Sequence, residues 1–191
     1  DPVAAIPLDV NGDGREDVLV VRRSTSILTT LIGQGVGATG NGTFGAPSTI
    51  STNGLPACIA TSDMTGDGIA DLVVGSQFDK SLRLHRGLAV AGVPNGSFQS
   101  VGSLGILPGA PLAIAIADTD EDGIEDVYTC ADGTVVKFRG LGAAGVANGT
   151  FGPLQSTPLS MATYDLLLHD ERLSMLGEVV AVSGFKNGQL G

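Results

Sequence analysis

Short apolar runs recur along the chain, separated by turn residues, and none of them holds a helical period. Alternating or near-continuous apolar segments of this length predict β-strands. The predicted strands come in sets of four. The first of each set is Val3–Leu8, Cys58–Ser62 or Leu112–Ala117. The second is Val18–Val21, Leu72–Gly75 or Val127–Cys130, runs so apolar that cover on both faces is expected. A turn such as Ala131-Asp132-Gly133 leads to a third strand at Ile27–Ile32, Leu82–Leu84 or Val135–Phe138. An 11-residue loop is predicted next, from Gly33 to Thr43, Gly87 to Ser97 or Gly140 to Thr150. Its Asn-Gly dipeptide is expected to make a tight hairpin turn with positive φ. The fourth strand covers about Ala46–Ser51, Gln99–Leu104 or Pro153–Thr157.

The sets are copies of one unit. Asp9-Val-Asn-Gly-Asp-Gly-Arg-Glu-Asp17 returns as Asp63-Met-Thr-Gly-Asp-Gly-Ile-Ala-Asp71 and as Asp118-Thr-Asp-Glu-Asp-Gly-Ile-Glu-Asp126, at steps of 54 and 55 residues. Asn41-Gly-Thr-Phe44, Asn95-Gly-Ser-Phe98 and Asn148-Gly-Thr-Phe151 follow at steps of 54 and 53. Pro2, Pro56 and Pro111 each stand seven residues before an acidic loop, and Pro158 stands seven before Asp165. The fourth copy is degenerate. Asp165-Leu-Leu-Leu-His-Asp-Glu-Arg-Leu173 is read as its loop, keeping the first acid but not the glycine, and the strand Glu178–Ser183 follows late. Four antiparallel strands in about 50 residues fit a propeller blade. The expected fold is all-β: propeller blades of four antiparallel strands, three complete and a partial fourth, an incomplete propeller. The expected blades are residues 1–53, 54–108, 109–156 and 157–191 of a single segment.

The chemistry lies in the acidic loops. Oxygen side chains at positions one, three and five can converge on a hard cation, and glycine at six permits the turn that brings in the carbonyl of position seven. The acid at nine closes the shell and opens the next strand. Loop 1 offers Asp9, Asn11, Asp13, the Arg15 carbonyl and Asp17. Loop 2 offers Asp63, Thr65, Asp67, the Ile69 carbonyl and Asp71. Loop 3 offers Asp118, Asp120, Asp122, the Ile124 carbonyl and Asp126. An all-oxygen set without histidine or thiolate disfavours zinc and copper. Several carboxylates in a flexible loop favour Ca²⁺ over Mg²⁺, and three Ca²⁺ sites are expected. The loops are not EF-hands, because position twelve is Val20, Val74 or Thr129 instead of Glu.

Net charge adds to this picture. The 191 residues carry −10, and ten of the 20 acids lie among the proposed ligands. An acidic chain is a poor partner for nucleic acid or an anionic membrane surface. Residues 24–62 contain no Asp, Glu, Lys or Arg, but their Gly, Ser, Thr and Asn content excludes a membrane-spanning helix. Cys58 and Cys130 are read as two buried thiols, with one bridge as the alternative. Gly35-Val-Gly37-Ala-Thr-Gly40 matches a dinucleotide fingerprint, but no helix is predicted after it. Asn41, Asn95 and Asn148 head N-x-[ST] sequons whose turn role already accounts for them. His85 and His169 have no recognisable nucleophile partner, and no catalytic residue is expected.

The acidic loop, the apolar strand after it and the Asn-Gly-Thr-Phe landmark together resemble FG-GAP/VCBS repeats, over nearly the whole chain. The resemblance implies an integrin-α-type β-propeller with structural calcium in its loops, and a non-catalytic extracellular or cell-surface role in adhesion, recognition or assembly. It also leaves open a carbohydrate-binding lectin, with a glycan as partner, or a propeller domain of a larger secreted enzyme. Missing Trp and sparse Tyr weaken the lectin reading. An open arc of blades exposes faces and strand edges, so a protein partner, or further copies or segments that complete the propeller, is expected. The charge-free long loops are a candidate surface for that contact.

Overall fold

The computed structural model describes residues 1–52 and 54–159, with the backbone of two further strands at 163–169 and 178–183. Every regular element among them is a strand. Blade 1 contains β1 (Pro2–Leu8), β2 (Asp17–Arg22), β3 (Ile27–Leu31), the hairpin β4 (Gly33–Val36) and β5 (Thr39–Phe44), and β6 (Ser48–Ser51). Blade 2 contains β7 (Pro56–Ser62), β8 (Asp71–Ser76), β9 (Ser81–Val90) and β10 (Val93–Ile106). Blade 3 contains β11 (Pro111–Ala117), β12 (Asp126–Ala131), β13 (Thr134–Phe138), the hairpin β14 (Gly140–Ala143) and β15 (Val146–Phe151), and β16 (Gln155–Pro158). The four-stranded sheets run β1-β2-β3-β6, β7-β8-β9-β10 and β11-β12-β13-β16, all antiparallel. A fourth unit begins with β17 (Thr163–His169) paired to β18 (Glu178–Ser183).

The core lies between blades. β7 packs against β1 and β2, β11 against β7 and β8, and β17 against β11 and β12. Leu19, Val21 and Leu28 of blade 1 join Leu72, Val74 and Phe98 of blade 2 in one cluster. Val73, Leu82 and Leu84 of blade 2 join Val127, Val136 and Phe138 of blade 3 in the next. Each such side chain contributes roughly 1.5–3 kcal/mol on burial, so a blade is held mainly by its neighbours. The middle strands show the consequence. β8 and β12 are buried at every residue, whereas β2 alternates between buried and half-buried.

The predicted 11-residue loop is a β-hairpin. In blades 1 and 3 it forms β4–β5 and β14–β15, and in blade 2 it is the continuous extension of β9 and β10. Its turn is not at Asn-Gly. Ala91-Gly92 and Ala144-Gly145 make it, with φ of 53° and 80°, and 53° and 76°. Two positive φ values in succession are the sign pattern of a type I′ turn. Gly37-Ala38 makes it in blade 1. The Asn-Gly dipeptide instead forms a bulge in the second hairpin strand. Asn41, Asn95 and Asn148 accept from the amides of Thr43, Ser97 and Thr150 at 3.0, 2.9 and 3.0 Å, and the ladder shifts register there. Gly35 and Gly40 face each other across the blade 1 hairpin, so the dinucleotide pattern sits on two paired strands.

The fourth repeat also differs from expectation. Asp165 does not open a loop: it lies inside β17, opposite Val182. Residues 170–177, the rest of the predicted loop, lie outside the described residues. Cys58 and Cys130 are both buried, and no disulfide joins them.

Candidate metal centres

Each acidic loop bridges the first and second strands of its blade. The carboxylate at position one organises the turn by accepting backbone amides. Asp9 takes those of Gly12, Asp13 and Gly14 at 2.8, 3.1 and 2.7 Å. Asp63 takes those of Gly66, Asp67 and Gly68 at 2.7, 3.1 and 2.7 Å. Asp118 takes those of Asp122 and Gly123 at 3.2 and 2.7 Å. The turn needs positive φ at position six (Gly14 79°, Gly68 79°, Gly123 82°) and also at position four (Gly12 72°, Gly66 72°, Glu121 56°). Only the glycine at six entered the sequence reading. Glycine at four in two copies was the available signal for the second requirement.

Position five fixes position seven. Asp13, Asp67 and Asp122 accept the amides of Arg15, Ile69 and Ile124 at 2.9, 3.0 and 2.9 Å through Oδ1. Position three differs among the loops. Asn11 donates to Asp13 at 2.8 Å, Asp120 lies with Asp118 and Asp122, and the Thr65 hydroxyl is buried without a hydrogen-bond partner. Asp118, Asp120 and Asp122 each bring a carboxylate oxygen to within 4.8 Å of the others.

Position nine is fully buried in all three loops. One oxygen of Asp17, Asp71 and Asp126 accepts the amide of Gly33, Gly87 and Gly140 at 2.7, 2.8 and 3.0 Å. Those residues must be glycine. A Cβ there would lie 2.4, 2.4 or 2.3 Å from the carbonyl oxygen of Glu16, Ala70 or Glu125. The other oxygen distinguishes the loops. Asp17 Oδ2 accepts the Val10 amide at 2.9 Å. Asp126 Oδ2 accepts the Thr119 hydroxyl at 3.0 Å and pairs with Lys137 Nζ at 2.7 Å. Asp71 Oδ2 has no partner. Burial pushes the Asp71 carboxyl up, against the pull of the Gly87 amide and the nearby Thr65 hydroxyl. A buried carboxylate oxygen without a well-formed hydrogen bond is costly unless a cation completes it. The donor set of loop 2 therefore fits a hard, oxygen-seeking ion.

The FG-GAP-like repeat family matches residues 9–74, which hold loops 1 and 2. That match supports FG-GAP-type repeats over residues 9–74. No curated protein sequence matches it. The crystal structure of BBS1N in complex with ARL6DN is similar in fold, with a TM-score of 0.52 at 16% identity. That likeness covers 95% of this chain and 46% of that one, so the chain spans under half of its solved relative. The three sheets are blades of a β-propeller, and among the described residues the array does not close on itself.

The acidic loops carry basic groups of their own. Arg15 pairs with Asp13, and its Nε also donates to the Gly33 carbonyl at 3.0 Å. Arg86 donates to Asp67 through Nε at 3.1 Å and Nη2 at 2.7 Å. Burial opposes ionisation of Asp67, but Arg86 and the Ile69 amide outweigh it and lower its pKa. Arg139 bonds to Asp120 and Asp122, and it holds the Asp120 carboxyl below its usual range. Burial would lower the Lys137 pKa, yet Asp126 and Tyr128 hold it raised. Between loops 2 and 3, the Ser62 hydroxyl donates to Glu125, whose carboxyl is pushed up by burial and by Asp63 and Asp118.

Proposed function

We propose that this chain is a non-catalytic, calcium-stabilised propeller segment that acts outside the cell in adhesion, recognition or structural assembly. The observation that carries the metal reading is Asp71 Oδ2, buried in loop 2 without a well-formed hydrogen bond and with the Thr65 hydroxyl nearby. All side-chain donors at positions one, three, five and nine are oxygens, which favours Ca²⁺ over softer metals. Three bound divalent ions would bring the chain from −10 to −4. Extracellular localisation follows from the availability of calcium there. Calorimetric titration with calcium, and separately with zinc, tests the reading. Calcium binding that saturates at two or three ions per chain supports it, and absence of binding at millimolar calcium sinks it.

The assembly reading rests on blade 1. At both internal junctions a hairpin bulge seats on the preceding acidic loop. The Gly149 amide donates to the Met64 carbonyl at 2.9 Å, and a Cβ on Gly96 would lie 3.2 Å from Val10. The blade 1 hairpin has the same sequence pattern but no blade in front of it. Phe44 is 48% exposed, against 7% for Phe98 in the covered hairpin of blade 2. A further propeller blade, with an acidic loop whose second residue is apolar like Val10 or Met64, is the partner this face fits.

A further inference from the structure

The basic groups beside the three loops vary in step with the acids. Two positions in each blade hold one arginine and one isoleucine, and the pair is exchanged in blade 1. Position seven and the residue before the clamped glycine are Arg15 and Ile32 in blade 1. They are Ile69 and Arg86 in blade 2, and Ile124 and Arg139 in blade 3. From either position the guanidinium reaches a loop carboxylate: Asp13 from Arg15, Asp67 from Arg86, Asp120 and Asp122 from Arg139. Every loop therefore has one guanidinium, whichever strand or turn supplies it.

At its ligand positions loop 3 has one more acid, Asp120, where the other loops have Asn11 and Thr65. It also has one more base. Lys137 Nζ lies 2.7 Å from Asp126 Oδ2 and 3.0 Å from the Thr119 hydroxyl. Lys137 pairs with Tyr128 across the ladder, and the matching register positions hold the uncharged Thr30 and Leu84. At the ligand positions alone, with Glu16, Glu121 and Glu125 set aside, three carboxylates with one base, or four with two, leave the same two net negative charges.

We propose that the residual charge at the ligand positions of each loop is set to that of one divalent ion, and that Lys137 is the positioning residue that makes loop 3 divalent-selective by offsetting Asp120. This rests on the metal reading above. Without Lys137, the ligand positions of loop 3 present three net negative charges, and a trivalent ion gains more than calcium does, because the attraction scales with the product of charges.

Terbium is the probe, and Tyr128 is its antenna. The Tyr128 hydroxyl lies 3.4 Å from Asp126 Oδ2, so tyrosine-sensitised terbium emission reports on loop 3, and a Tyr128→Phe control identifies its share. Calcium displacement then gives the terbium-to-calcium affinity ratio of that loop in the full chain. Lys137→Met raises the ratio about tenfold. The double variant Asp120→Asn with Lys137→Met returns it to the parent value. Asp120→Asn alone lowers it, and this variant tests the idea even where Lys137→Met fails to fold. A parent that binds neither terbium nor calcium overturns the metal reading and this inference with it. A parent that binds both, with a ratio unmoved by Lys137→Met or by Asp120→Asn, overturns this inference alone.

Discussion

Two residues adopt what their neighbours in the repeat avoid. Glu121 holds φ of 56° where loops 1 and 2 place Gly12 and Gly66. A side chain in the left-handed region costs roughly 1–2 kcal/mol. Glu121→Gly is therefore expected to stabilise the chain by about 1 kcal/mol in urea unfolding, and a loss of stability would refute that strain. His85 is buried with neither ring nitrogen hydrogen-bonded, at a register position held by Leu31 and Phe138 in the other blades. Burial, aided by Arg83, pulls its pKa from 6.5 down to about 4. The unfolded chain takes up that proton first, so stability falls as pH drops from about 6.5 to about 4, by at most about 3 kcal/mol. His85→Leu should remove this share of the slope. An unchanged pH dependence in the variant would contradict the assignment. The spacing of acids located the loops, but it could not show where each carboxylate oxygen goes. The bases that meet them, Arg86, Lys137 and Arg139, lie 11 to 19 residues further on. The exchanged arginine and isoleucine were the trace they left.

Strands were legible where burial enforces a pattern. The first, second and third strands of each blade follow apolar runs, because one or both faces meet another blade. The hairpins were not legible. Their strands are rich in glycine and alanine, they reach the core chiefly through one phenylalanine, Phe98 or Phe151, and their sequence shows no apolar alternation. The Asn-Gly bulge also imitates a turn signal, while the actual turn uses Ala-Gly at positive φ in blades 2 and 3 and Gly37-Ala38 in blade 1. Glycine at the start of each hairpin is the element's fixed point. Gly87→Ala would put a Cβ 2.4 Å from the Ala70 carbonyl oxygen and displace the amide that Asp71 accepts. The expected cost is about 2 kcal/mol or more in thermal unfolding, and a neutral substitution would show that the strand end is free to move.

For the whole molecule, both the blade stacking and the exposed first face follow from one junction repeated. Blade 1 presents a half-buried β2, an exposed β5 and the open Phe44 where blades 2 and 3 are covered. Sedimentation velocity is expected to show association that Phe44→Asp suppresses. A monomer at all concentrations that binds no apolar dye would contradict the assembly reading. The same scale holds the main test of the metal. An ion at about 100 times its dissociation constant contributes about 2.7 kcal/mol per site, and 1 kcal/mol moves Tm by about 2–4 °C for a chain of this size. Thermal unfolding in saturating calcium, repeated in excess chelator, is the most direct measurement. Calcium-stabilised loops predict a Tm lower by about 10 °C or more in the chelator, restored on adding calcium back. Superimposable melting curves would contradict the account.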